Sequence, residues 1–130
     1  MIKLKKIKSL SIRISKRRSH QKGEILEIII DGKVVHLIIT SHARERAKKW
    51  GIQEKRVAET LLLPEEVLKG HGGRFIAQRR YGDHVLRTVY EYEHGKPVLV
   101  TVYFPLAKRY FLGGGHYEDK ILARCRRAYD

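Results

Sequence analysis

At 130 residues the chain is the size of one domain, and its 28 Lys plus Arg against 14 Asp plus Glu give a formal net charge of +14; such a length argues against two independent cores, and such a charge makes a polyanion, RNA or the ribosome, the first partner to expect. The single Cys125 excludes an intrachain disulfide and a multi-cysteine zinc site, no C-x-x-C or H-E-x-x-H spacing occurs, and neither a metal nor a cofactor is expected. With no apolar run of about 18 residues and no signal-peptide pattern, the expectation is a soluble, cytoplasmic protein with no membrane partner.

Residues 1 to 22 contain nine Lys or Arg and no acidic residue, with an alternation at Leu10-Ser11-Ile12-Arg13-Ile14 ahead of Lys16-Arg17-Arg18. The segment reads as a basic edge strand or as an arm that orders on its target, with a solvated tail as the plainer alternative. In the first two cases Arg17 and Arg18 are phosphate contacts. From Glu24 to Thr40 two β-branched runs flank Asp31-Gly32, the strongest short-range hairpin signal, because both central residues of a type I′ turn need positive φ. His36 alternates with apolar neighbours there and reads as a strand-surface residue.

Ser41 is placed as the N-cap of a helix over His42 to Trp50 that Gly51 ends, with Ala43, Ala47 and Trp50 as its buried stripe. His42 and Arg46 sit one position off that stripe, at i and i+4, either solvating the border or pointing into an anion site beside the sheet. A second helix runs from about Gln53 to Leu62, burying Val57, Ala58, Leu61 and Leu62, until Pro64 breaks it. Pro64 to Gly70 reads as a helical turn or short loop, and Gly70, Gly72 and Gly73 carry only a weak phosphate-cradle signal.

Phe75 to Phe104 reads as a twisted antiparallel meander turned at Gly82-Asp83 and His94-Gly95. Two-residue turns put Ile76, Gln78, Arg80, Val85, Arg87, Val89, Val98, Val100, Val102 and Phe104 on one side, the better core candidate. The other side then groups Arg79, Thr88, Tyr90, Thr101 and Tyr103, with Lys108 and Arg109 just beyond, a set suited to binding phosphate and stacking bases. Arg87 lands on the core side unless a bulge turns it outward. A basic helix from about Tyr117 to Tyr129 follows the triple glycine Gly113 to Gly115, with Cys125 on its narrow apolar stripe. The expected fold class is α+β: a twisted antiparallel sheet, hairpin plus three-stranded meander, packed on two helices and followed by a C-terminal helix. The expected layout is a basic arm or edge strand over 1–23, the α+β domain over 24–112, and the basic helix over 113–130.

The strings SHARERAKKWGI, LLLPEEVLKG, GGRFIAQRRYGDHVLRTVYEYE and VLVTVYFPLAKRY resemble a small uncharacterised prokaryotic domain family, over roughly residues 34 to 111. Its members carry a His-Ala-Arg helix, an Asn- or Leu-Pro-Glu phrase and a Thr-containing last strand, and the family is similar to the RelE/ParE and BrnT-like toxins, grouped with barnase-like metal-independent ribonucleases. The resemblance implies an endoribonuclease that cuts mRNA, typically on the ribosome, and an antitoxin protein as a further partner. On this sequence it implies a catalytic set of His42, Arg79, Arg87 and Tyr103, with Arg46, Arg80, Tyr90, Lys108, Arg109 and Tyr110 binding RNA; Arg17 and Arg18 lie outside the resemblance and are expected to bind RNA from the basic segment's charge alone. His42 would act as base or acid, the arginines would hold the phosphate, and a tyrosine would stack a base or donate a proton. The alternatives are a non-catalytic RNA- or ribosome-binding protein on the same fold, and a DNA- or gyrase-directed one.

Overall fold

Extended β-branched runs and tight turns build most of the molecule, seen in a computed structural model that describes residues 11–107. The elements are β1 (Ile12–His20), β2 (Gly23–Ile30), β3 (Lys33–Thr40), α1 (Ser41–Lys49), α2 (Glu54–Leu62), β4 (Glu66–Lys69), β5 (Phe75–Tyr81), β6 (His84–Glu93) and β7 (Lys96–Tyr103). Asp31 (φ 47°) with Gly32 (φ 69°), and His94 (φ 53°) with Gly95 (φ 80°), supply the positive φ pairs that close two of the hairpins. The strands form one seven-stranded sheet in the order β1-β2-β3-β7-β6-β5-β4. All neighbours are antiparallel except β3 and β7, which pair in parallel at Ile38↔Val98 and Ile39↔Leu99. The α+β class, the hairpin, the meander and the two helices are as expected. The basic N-terminal segment takes the edge-strand form in β1, which pairs along β2 and so belongs to the same sheet. The expected C-terminal helix, with Cys125, lies outside the described residues.

Local departures from the sequence reading have local causes. Pro64 to Gly70 contains a strand, β4, rather than a helical turn, because Val67 enters the core opposite Ala77 and Glu66 is buried opposite Gln78. The cap of α1 is Thr40, not Ser41: its Oγ1 accepts from Ala43 N at 3.1 Å and donates to the Val100 carbonyl at 3.1 Å, fastening the helix start to β7. Trp50 is the C-cap residue, beyond the last helical turn, and it is 44 % exposed rather than buried.

The core lies between α2 and one face of the sheet. Val57, Ala58, Leu61 and Leu62 of α2 join Leu26, Ile28, Leu37, Ile39, Ala77, Leu86, Tyr90 and Leu99 in one buried cluster, to which Ala43 and Ala47 of α1 contribute. The β5–β6 register has Tyr81 opposite His84, Gln78 opposite Arg87 and Ile76 opposite Val89, as the two-residue turn requires. The face carrying Phe75, Ala77, Arg79, Leu86, Thr88 and Tyr90 is nevertheless the one packed on α2, the reverse of the sequence assignment. Its polar groups have partners: Arg79 Nη1 donates to the Leu63 carbonyl at 2.7 Å, and Thr88 Oγ1 donates to the Ala77 carbonyl at 2.8 Å. Once such groups are hydrogen-bonded, burying them no longer carries the full desolvation cost. No helix among the described residues is long and apolar enough to cross a membrane.

Candidate functional site

A β-bulge decides which side chains meet. Tyr90 pairs with Leu99 but Val89 pairs with Thr101, so Val100 is the extra residue and everything after it in β7 changes face. Thr101 and Tyr103 thereby join Arg87, Gln78 and Arg80 on the face away from α2, and part from Arg79 and Tyr90. The bulge turns the β7 residues toward Arg87, where the sequence reading considered only a bulge that would turn Arg87 itself.

Helix α1 completes the group. The β3–β7 pairing covers only two residues of β3, and past Thr40 the chain enters α1, which packs chiefly along β7. Ala43 and Ala47 face the core, so His42 and Arg46, one position before each, reach the other side of β7. His42 Nε2 lies 3.1 Å from Thr101 Oγ1, with donor and acceptor set by the imidazole tautomer. The Arg46 guanidinium carbon stands 5.9 Å from the centre of the Tyr103 ring, within cation–π range, and its Nε is buried with no hydrogen-bond partner among the described residues. A buried donor left in this way costs free energy, which a turn of the Arg46 side chain toward an acceptor such as a phosphate oxygen would recover.

On the other side of Tyr103, directly across the strand pair, is Arg87. Its Nε donates to Gln78 Oε1 at 3.0 Å, and Gln78 Nε2 donates to Glu66 Oε1 at 2.6 Å. Gln78 and Glu66 are buried, so this run from β4 through β5 fixes the orientation of the Arg87 guanidinium. The result is a band across one sheet face: an imidazole backed by a buried hydroxyl, two guanidinium groups and, between them, a phenol that is 41 % exposed. Such a band can bind a phosphodiester, move a proton and offer a ring to a base.

The remaining sequence candidates fall elsewhere. Arg79 caps the C-terminal end of α2 on the opposite face. Tyr90 is 1 % exposed, stacked on Phe75 at 5.5 Å, and so has no ring surface for a base. Arg17 is on the α2 side, paired with Glu54 at 2.7 Å and Glu24 at 3.0 Å, and these carboxylates, Glu54 foremost, raise its pKa. Arg18 is exposed on the distal strand β1, in a groove of about 300 Å³ shared with Lys16, Glu27 and His36, where a hydrogen bond from Ser15 holds the Glu27 carboxyl below its ordinary value. Arg80 shares the face of Arg87 but stands at the Gly82 turn. Lys108, Arg109 and Tyr110 lie outside the described residues. The sequence reading missed Thr101 as the partner of His42 and the Glu66–Gln78 support; polar side chains at otherwise core-facing strand positions were the available signal.

The profile of a family described as a domain of unknown function, DUF4258, matches residues 39–104, just over half of the chain. No curated protein and no solved structure matches it. The matched stretch starts at the end of β3 and stops just past β7, so it holds every residue of the band, while β1 and most of the β2–β3 hairpin lie outside it. The chain belongs to this family, DUF4258.

Proposed function

We propose that the chain is a RelE-like, toxin-type endoribonuclease that cleaves RNA without a metal, by attack of the 2′-hydroxyl on the adjacent phosphorus. The observation that carries this reading is the pairing of His42 with Thr101 at 3.1 Å beside a Tyr103 ring flanked by Arg46 and Arg87. In the step, a bond forms between O2′ and phosphorus and the bond from phosphorus to O5′ breaks, leaving a 2′,3′-cyclic phosphate and a 5′-hydroxyl. One proton leaves O2′ and one is delivered to O5′. His42, oriented by Thr101, is suited to one of these transfers and the Tyr103 phenol to the other, while Arg46 and Arg87 offset the charge growing on the phosphoryl oxygens. The formal charge of +14 supports a nucleic-acid substrate, with mRNA on the ribosome as its natural setting and an antitoxin as the controlling partner.

Arg79 stands apart from this site, which favours as a second reading an RNA- or ribosome-binding protein that keeps the basic face without the chemistry. Incubating RNA with the protein and a chelator separates the two. Cyclic ends are expected from the nuclease, whereas tight, salt-sensitive binding of intact RNA would replace it with the second reading.

A further inference from the structure

At the far end of α1 a second feature adjoins the band. Trp50, the only tryptophan of the chain, is 44 % exposed at the rim of a cleft of about 290 Å³. Leu86, which is fully buried, lines it, as do Tyr81 and Phe104, with Gln53 and Arg56 as its polar members. The rings are held in place. The Tyr81 hydroxyl bonds Thr60 Oγ1 at 3.1 Å and Glu59 Oε1 at 2.9 Å, and Phe104 stacks on His84 at 4.8 Å between centroids. The Arg56 guanidinium lies 4.8 Å over the Tyr81 ring and makes no ion pair among the described residues. Gln53 sits at the N-cap of α2 but its side chain does not bond the helix start, which leaves the amide for another group.

We infer that this cleft is a nucleobase subsite, taking a base of the same single strand whose phosphate lies in the Arg46–Arg87 band; the inference rests on the RNA reading proposed above. Trp50 offers an open π-face, Arg56 a cation over an aromatic platform, and Gln53 both a donor and an acceptor for a base edge. Connectivity ties the two places together. Trp50 N donates to the Arg46 carbonyl at 3.0 Å, so the two residues are about one helical turn apart, about 6 Å along the axis. Phe104 directly follows Tyr103 in the chain, its ring in contact with the core cluster on the opposite side of β7. Past Tyr103 the chain stays bonded to the start of β6 through Pro105 and Ala107, so the path runs beside α1: a strand bound at Tyr103 and Arg46 and following the last turn of that helix presents its neighbouring base to Trp50. The charge of +14 selects a polyanion over an apolar peptide as the occupant.

The test uses the intrinsic fluorescence of Trp50 and two oligomers of equal length that cannot be cut, one a short 2′-O-methyl RNA and the other its counterpart with a single abasic position, next to the nucleotide at Tyr103. The base-bearing oligomer is expected to quench Trp50 and to bind about tenfold more tightly than the abasic one, the share of a single stacked base. Arg56→Ala and Trp50→Ala, both at exposed positions, should bring its affinity down to the abasic level. Equal affinities with no change in Trp50 emission would overturn the subsite and leave the RNA reading standing. Failure of both oligomers to bind at low salt would overturn both, and a Trp50 response to an aromatic peptide alone would assign the cleft to a protein partner instead.

Discussion

Replacing Arg79 with methionine separates a structural arginine from a catalytic one. The substitution keeps an alkyl stem against α2 and deletes the guanidinium whose Nη1 donates to the Leu63 carbonyl at 2.7 Å. Leu63 is the C-cap of α2, where carbonyls lack helical partners and the negative end of the helix dipole lies. A charged hydrogen bond is worth about 1.5–3 kcal/mol and the dipole contact about 0.3–1 kcal/mol. Water reaching the freed carbonyl offsets part of that, so a net loss of roughly 2–3 kcal/mol is expected. For a domain of this size the melting temperature should fall by roughly 7–11 °C. Urea unfolding followed by Trp50 fluorescence and far-UV circular dichroism should show a lower midpoint at an unchanged slope. An unchanged midpoint would refute the capping role, and lost RNA cleavage at wild-type stability would return Arg79 to the chemistry.

Three further predictions address other parts of the fold. A Cβ on Gly23 would stand 2.1 Å from the Ile39 carbonyl oxygen and 2.9 Å from Ser41 N, both backbone, so Gly23→Ala should lose about 1–3 kcal/mol in a denaturant melt; wild-type stability would mean that β2 shifts freely against β3. Burial, aided by Glu59, pushes the Tyr81 hydroxyl from 10 up to about 12. Its contribution is therefore complete below pH 10 and is lost as the pH rises from 10 to about 12, because the unfolded chain gives up the proton first. Melting temperatures measured across that range should fall less steeply in Tyr81→Phe than in the wild type, and parallel curves would contradict this. Gln78→Leu removes both the 2.6 Å bond to Glu66 and the 3.0 Å bond to Arg87, and should cost about 1–3 kcal/mol of stability together with RNA affinity; a stable variant with full affinity would show that Arg87 needs no support from β5.

The sequence was informative where a single residue type dictates geometry. Asp31-Gly32 marks its hairpin because both positions need positive φ, and the Gly82-Asp83 turn sets every pair from Tyr81↔His84 to Phe75↔Tyr90. The helix spacing of His42 and Arg46 put both at the border of the buried stripe and left open whether they face solvent or the sheet; both are in the band. What could not be read arises from packing between segments distant in the chain. Nothing in Leu99-Val100-Thr101 announces a bulge; it sits where Thr40 Oγ1 binds the Val100 carbonyl and β3 gives way to α1, a contact between segments sixty residues apart. That one extra residue moves Tyr103 from the company of Arg79 to that of Arg87. Likewise Arg79 reads as an open-face phosphate ligand because only the folded chain brings the end of α2 to it as an acceptor, and Glu66 reads as part of a helical turn or loop because only the fold stands Gln78 opposite it.

The most direct test compares 2′,3′-cyclic product formed in chelator by the wild type, His42→Ala and Arg79→Met, each held below its melting temperature. The imidazole should account for a factor of roughly 10²–10⁴ in rate, so His42→Ala should be nearly silent while folded Arg79→Met cleaves at close to the wild-type rate. Equal cleavage by His42→Ala and the wild type, or none by the wild type, would contradict the assignment of chemistry to the His42–Thr101 end of the band.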